Sequence, residues 1–175
     1  FYVGSGEPGA APVAMTFVSV DDERVLLRGQ VAPGVTVERR YQVESVEPCL
    51  VNIDTTWRNE GSQAHQEDRY IGIEDVVDPA SGGMMARYTS LRRPLAHAGD
   101  GLVVAEFGES ESVQEVEGDP VWMGLADRYF GMLATIRSAS AGELRFHGDQ
   151  ETNVTSVVYR MNGSLEPGQT ESVSM

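Results

Sequence analysis

The sequence lacks residues on which several common protein functions depend. Cys49 is the single cysteine, so the chain forms no intramolecular disulfide. Lysine is absent, and the 13 basic residues are arginines, against 27 acidic residues and a formal net charge of -14. A field of this sign repels phosphate backbones and anionic headgroups. The composition therefore argues against nucleic-acid binding and against direct docking to lipid.

Motifs for metal, nucleotide or nucleophilic chemistry are also missing. His65, His97 and His147 lie far apart in the sequence without metal-ligand spacing, and we expect each on the surface. No phosphate-binding loop or nucleophile elbow occurs. Acidic residues are too numerous for the sequence to single out a catalytic pair. We expect no catalytic residue, no metal and no cofactor, and a protein that is not an enzyme. The pair Arg39-Arg40 is expected to be solvated or ion-paired at the surface.

Long apolar runs are absent as well. The longest, such as 101–105, are far shorter than the roughly 20 residues that a membrane-spanning helix needs. A length of 175 residues and evenly spread turn signals predict one domain over 1–175. The chain opens on Phe1 without a leader pattern, so we expect a fragment of a larger membrane protein whose other segments lie outside it.

Alternation of apolar and polar residues predicts an all-β protein. The clearest run extends from Cys49 to Trp57, and the run from Val35 to Val43 has the same period, which predicts an antiparallel hairpin. Many short strands with regular turns are typical of a β-sandwich or barrel. Further strands are predicted over 13–20, 24–30, 83–88, 101–107, 131–138, 143–147, 153–161 and 170–175.

One segment departs from this pattern. Asp119 and Pro120 suit the start of a helix, and Trp122, Leu125 and Tyr129 follow at helical spacing. We therefore predict one short helical segment near 120–130, with its apolar stripe packed on the sandwich. The acidic stretch 109–118 before it predicts an exposed loop or an edge strand.

The stretch from Trp122 to Phe130 resembles a helical segment near the end of the periplasmic domain of YidC-type membrane protein insertases. Downstream, the stretch 163–170 is similar to the family's Pro-Gly turn before the last strand. Upstream, 34–41 and 51–59 look like a pair of strands in the same family. The likeness covers most of the chain from about Val25 onward.

The resemblance implies a twisted β-supersandwich, similar in outline to galactose-mutarotase-like proteins. It also implies an accessory domain in the periplasm, carried by an insertase and chaperone of the bacterial inner membrane. The host protein would help membrane proteins to insert and fold, alone or with the Sec translocon. The implied partners are Sec translocon subunits and nascent membrane proteins. The implied structural or interaction residues are Trp122, Leu125, Tyr129 and Phe130.

Two other interpretations fit the sequence. A carbohydrate-binding or mutarotase-like sandwich would stack a sugar on Trp57 or Trp122, and catalysis would need a histidine and a glutamate that converge. A plain extracytoplasmic interaction sandwich predicts that Trp122→Ala is mild, whereas loss of a core tryptophan costs about 3–5 kcal/mol. An exposed edge strand would allow an extended segment to bind by β-augmentation, but the pattern does not identify that edge.

Overall fold

The protein is described here by a computed structural model that covers residues 1–6, 12–44, 50–76, 93–107, 113–126, 131–137, 141–149 and 154–175. This part of the chain forms fourteen β-strands and contains no helix, which confirms the all-β prediction. The strands are β1 (Tyr2–Ser5), β2 (Met15–Val20), β3 (Arg24–Ala32), β4 (Val35–Val43), β5 (Val51–Asn59), β6 (Arg69–Val76), β7 (Arg93–Ala98), β8 (Gly101–Val104), β9 (Val113–Val116), β10 (Pro120–Ala126), β11 (Gly131–Thr135), β12 (Gly142–Asp149), β13 (Val154–Met161) and β14 (Thr170–Ser174).

The strands are arranged in three sheets. Their orders are β1-β6-β13-β12-β9, β11-β10-β7-β8 and β14-β5-β4-β3-β2. The predicted hairpin is confirmed, because β4 and β5 are antiparallel partners with Val37 opposite Trp57. Cys49, at the start of the predicted second strand, lies outside the described residues.

The chain folds into two compact units. Unit 1 comprises Phe1–Tyr2, Tyr70–Thr135 and Gly142–Arg160. Unit 2 comprises Val3–Arg69, Ile136–Ala141 and Met161–Met175. The sheet β14-β5-β4-β3-β2 belongs to unit 2, and the sheet β11-β10-β7-β8 belongs to unit 1. The single domain over 1–175 stays a prediction.

In unit 2 the alternation of the sequence becomes two distinct faces. Val35, Val37, Ile53 and Trp57 are buried on one face, as expected for period-two strands. Arg39 lies on the same face and is buried, so its expected place at the surface is wrong. Its Nε donates to Thr55 Oγ1 at 3.1 Å, and its Nη1 donates to the Tyr41 hydroxyl at 3.4 Å. Burial lowers the pKa of Arg39, and Tyr41 partly opposes that effect.

The turn after β5 is held by a buried asparagine. Asn59 Nδ2 donates to the carbonyl oxygens of Gln63 at 2.8 Å and Leu165 at 2.7 Å, while its Oδ1 accepts from the Gly61 amide at 2.9 Å. Gly34 has a φ of 78°, and a Cβ there would lie 2.6 Å from the Gly61 Cα. The close approach of these two turns therefore requires glycine at position 34.

In unit 1, β12 packs against β7 and β10, so two sheets form a sandwich. Alternate residues of these strands fill the space between them. The buried side chains include Ala96, Met123, Leu125, Leu144 and Phe146.

The predicted helix near 120–130 is wrong over 120–126. This stretch is β10, which lies between β7 and β11 in the centre of its sheet. Trp122 is opposite His97 on one side and Thr135 on the other. Pairing on both sides satisfies the backbone in the extended form, and Gly124 is a poor helix former, so tertiary pairing overrides the local helical spacing. Residues 127–130 lie outside the described part of the chain.

Candidate functional site

The structure describes two of the four residues that the sequence selected, Trp122 and Leu125. Leu125 is buried, on the face of β10 that also carries the buried Met123. Trp122 is half-buried on the opposite face of the same strand. Tyr129 and Phe130 lie outside the described residues. Successive residues of a strand point to opposite sides, so Trp122 and Leu125 do not form one surface.

The face that carries Trp122 is an apolar surface formed by four strands. Strand registers place His97 and Leu102 in line with Trp122, and Leu95 and Val104 in line with Gly124. Leu133 is opposite Gly124 on the other side. We call this surface the Trp122 face, and it consists of Leu95, His97, Leu102, Val104, Trp122 and Leu133.

Much of the Trp122 face is accessible to solvent. Leu102 is 60% exposed and Leu133 is 59% exposed, although both are large apolar residues. The rings of His97 and Trp122 lie 6.2 Å apart with a tilt of 42°. A side chain at position 124 would clash with the Met132 carbonyl oxygen and with Leu133 Cδ2, so glycine allows Leu133 to lie across the strand. The result is an apolar surface in water, which is typical of a binding surface.

The charge of this sheet differs from that of the whole chain. The strands β7, β8, β10 and β11 contain no aspartate or glutamate, and Arg93 is their one arginine. The chain as a whole carries 27 acidic residues. An apolar partner that covers this face therefore has no carboxylate to desolvate on the strands. His97 Nδ1 is buried without a hydrogen-bond partner among the described residues.

A cluster of polar side chains lies in unit 2. Ser5 Oγ is 2.8 Å from His65 Nε2 and donates to Glu67 Oε2 at 3.2 Å. His65 is buried, so its expected place at the surface is wrong, and its burial lowers its pKa. Glu67 bonds the serine rather than the imidazole, which is not the arrangement of a Ser-His-acid triad. The cluster fits a structural link to Leu165, whose backbone pairs with that of His65.

Comparison with known protein families gives a direct assignment. The family model described as the YidC periplasmic domain matches residues 14–175. The chain belongs to this family. The resemblance read from the sequence is thus confirmed, and it indicates a role in a membrane protein insertase with a periplasmic domain. A search of curated proteins finds no match.

Within this YidC periplasmic domain the sugar-binding alternative depends on Trp122. Trp57 is fully buried, so it has no face on which a sugar can stack. His97 lies beside Trp122, but the strands of that face supply no glutamate to act with it. The pair of groups that mutarotase-like catalysis needs is therefore not formed by these four strands.

Two further features concern the described part of this family member. It contains no group of three or more His, Cys, Asp or Glu side chains placed to hold a metal ion. The described residues include no helix that is long and apolar enough to cross a membrane.

Most of the Trp122 face is not recognisable from the sequence. Leu95, His97, Leu102, Val104 and Leu133 come from three strands other than β10, and their proximity arises only from pairing. One signal was present in the sequence, since the segments 93–98, 101–104, 120–126 and 131–135 are free of acidic residues in an acid-rich chain.

Proposed function

We propose that this YidC periplasmic domain is an accessory binding domain of an insertase and chaperone of the bacterial inner membrane. In this proposal the Trp122 face contacts apolar segments of membrane proteins while they insert and fold, alone or beside the Sec translocon. The observation that carries the proposal is an exposed apolar face, free of acidic residues on its strands, in a chain that belongs to the family. No bond is broken and no cofactor is needed.

The energetic basis is the removal of apolar surface from water. Each Å² of apolar surface that a partner covers contributes about 25 cal/mol. Leu102 and Leu133 lie on separate strands at the two edges of the sheet, with the half-buried Trp122 between them. A segment laid across the sheet covers all three side chains. Reversible binding of this kind suits a partner that is held briefly and then released into the membrane.

Site-specific photo-crosslinking in the full-length insertase tests this proposal. A photoreactive amino acid replaces Leu133, and the matched control carries it at Arg58, an exposed residue of unit 2 on β5. During synthesis of a membrane protein, we expect cross-links to the nascent chain from position 133 and few from position 58. Adding Leu102→Glu reduces the cross-links from position 133, because a carboxylate then has to be desolvated.

Equal cross-linking from positions 133 and 58 contradicts binding at the Trp122 face. The same samples test the Sec partnership, because translocon subunits cross-linked from position 133 are identified by mass. If nascent chains cross-link but Sec subunits do not, the domain contacts substrate without the translocon at this face.

The carbohydrate-binding alternative retains one supporting observation, which is the half-buried Trp122 beside His97. Titration with a panel of periplasmic oligosaccharides tests it by tryptophan fluorescence. The alternative predicts a saturable change that disappears in Trp122→Phe, since stacking on the indole is lost. Absence of any change with the wild-type protein favours the insertase proposal.

A further inference from the structure

Strand β2 is the outermost strand of the unit 2 sheet, and one of its edges is open as far as the described residues show. In the order β14-β5-β4-β3-β2 it has one neighbouring strand among the described residues. All of its residues from Thr16 to Val20 are exposed. An edge strand presents backbone N–H and C=O groups that an added strand can pair with. The open edge is therefore available for β-augmentation.

A β-bulge places two apolar side chains of this strand on one face. Phe17 is opposite Leu27 and Val20 is opposite Val25, with the register shift between Phe17 and Ser19. Leu27 and Val25 are two residues apart on β3, so they point to the same side. The extra residue in β2 thus brings Phe17 and Val20 onto one side as well. Their side chains are 57% and 62% exposed.

The apolar side continues across the sheet from this edge. Val25 is opposite Tyr41 on β4, and Val43, two residues further along β4, is opposite Val51 on β5. Val43 and Val51 are both exposed. We call this the β2 surface, and it consists of Phe17, Val20, Val25, Tyr41, Val43 and Val51.

The turn at one end of the β2 surface is acidic. The turn after Val20 is Asp21-Asp22-Glu23, and its residues are exposed. Asp21 Oδ1 accepts the backbone amides of Glu23 at 3.0 Å and Arg24 at 2.8 Å, which fixes the turn at the end of the surface. This end therefore favours a positively charged partner.

The arginines of the neighbouring strands do not neutralise that end. Arg24, the nearest arginine, is opposite Gln42, and it lies on the other side of the sheet from Phe17 and Val20. Arg28 and Arg40 lie on that other side as well. Arg39 lies on the apolar side, but it is buried and bonded to Thr55 and Tyr41. Acidic groups thus dominate the rim of the β2 surface.

We infer that β2 binds an extended polypeptide segment that adds to its edge as a further strand. The segment carries apolar side chains at alternate positions, which cover Phe17 and Val20, and an arginine or lysine beside Asp22 and Glu23. Backbone pairing supplies the affinity, and the apolar and charged side chains supply the selectivity. This binding surface lies in unit 2 and does not depend on the function proposed for the Trp122 face.

A short labelled peptide that alternates valine and threonine, with arginines at both ends, is the probe. We expect saturable binding by fluorescence anisotropy, and at least tenfold slower amide exchange in β2 when the peptide is bound. A peptide of the same core with glutamates at both ends should bind at least tenfold more weakly in low salt, with a smaller difference in high salt.

Three variants assign the binding to β2. The first is the double variant Phe17→Ser/Val20→Thr, in which threonine keeps the branched shape of valine but loses a methyl contact. It should weaken binding of the peptide at least fivefold. Asp22→Asn with Glu23→Gln should remove the preference for the arginine peptide, while Asp21 still fixes the turn. The matched control is Val113→Thr on the edge strand β9, where Val113 is 45% exposed, and it should bind as the wild type does.

Several outcomes would overturn the inference. Protection from exchange in strands other than β2, equal affinity for the two peptides in low salt, or equal effects of the double variant Phe17→Ser/Val20→Thr and of Val113→Thr each contradict it. If sedimentation shows a dimer that Val20→Thr disrupts and the peptide does not bind, the open edge pairs with a second copy of the chain instead. Circular dichroism of each variant confirms that it is folded.

Discussion

At the scale of single residues, Arg69 and Glu171 form a buried ion pair within unit 2. Arg69 Nε donates to Glu171 Oε2 at 2.9 Å, and Nη1 donates to the Gly163 carbonyl at 2.9 Å. Both side chains are largely removed from water. Desolvation of two charges is costly, and the additional hydrogen bond to the backbone helps to offset it. The pair connects the start of β6 to β14.

Removing one member of this pair should be strongly destabilising. Arg69→Met leaves the Glu171 carboxylate buried without its cation, and we expect a loss of about 3–5 kcal/mol in the free energy of unfolding. The matched control is Arg28→Met, which breaks the exposed pair of Arg28 with Glu38 and should cost less than about 1 kcal/mol. Urea unfolding measures both. If the two variants lose similar amounts of unfolding free energy, burial of the Arg69–Glu171 pair does not determine its effect on stability.

Tyr2 gives a pH-dependent prediction. Burial raises the pKa of Tyr2 to about 12 from its usual 10.0, while a hydrogen bond with Ser156 partly opposes the shift. The folded state favours the protonated phenol. The contribution of Tyr2 to the free energy of unfolding is therefore fully present below pH 10 and is lost as the pH rises toward 12. Tyr2→Phe removes the titration and leaves a pH-independent offset. Urea unfolding should show that the stability of the wild type falls relative to that of Tyr2→Phe between pH 10 and 12. If stability depends on pH in the same way in both proteins, the pKa of Tyr2 is not raised.

At the scale of elements, strands were predicted best where one face of the sheet is buried and the other is exposed to solvent. β4 and β5 alternate apart from Arg39, and their hairpin was located correctly. The acidic stretch 109–118 was expected to be a loop or edge strand, and its described part includes the edge strand β9. The predicted strand over 83–88 lies outside the described residues.

Strands were missed where alternation is weak. β6 has buried neighbours Tyr70, Ile71 and Ile73 in succession, so period two is not visible in it. β7 contains a proline and four small or polar residues, and the apolar residues of β10 happen to be spaced as in a helix. Pairing with other strands stabilises these segments, and such non-local contacts are not encoded in a short window of sequence. The Trp122 face depends on the same pairings, so its members could not be grouped beforehand.

The hairpin of β10 and β11 depends on glycine at one position. A Cβ at Gly124 would collide with the backbone of Met132, whereas a Cβ at Gly131 would meet Ala126 Cβ at 3.4 Å, an ordinary contact. We expect Gly124→Ala to lower the free energy of unfolding by about 1–3 kcal/mol, because the strands must move apart. Gly131→Ala should stay within about 0.5 kcal/mol of the wild type. Thermal and urea unfolding of both variants test this, and a neutral Gly124→Ala would contradict the close approach.

At the scale of the whole molecule, charge is distributed unevenly. The net charge is -14, so carboxylates outnumber arginines by the same amount even if every arginine is paired. The sheet of the Trp122 face carries none of these carboxylates on its strands. Acidic repulsion is therefore concentrated on the remaining surface, where it keeps the protein soluble but opposes compact folding.

Salt should consequently stabilise the folded chain at neutral pH. Raising NaCl from about 10 mM to 150 mM shortens the Debye length from about 30 Å to 8 Å and screens repulsion between exposed carboxylates. A gain of 1 kcal/mol in a chain of this size corresponds to a rise in Tm of about 2–4 °C. Thermal unfolding at pH 7 measures the effect, and the same series near the sequence pI of 4.5 is the control, because net repulsion nearly vanishes there. A Tm that falls with added salt at pH 7 would show instead that ion pairs such as Arg145 with Glu115 and Glu143 outweigh the repulsion.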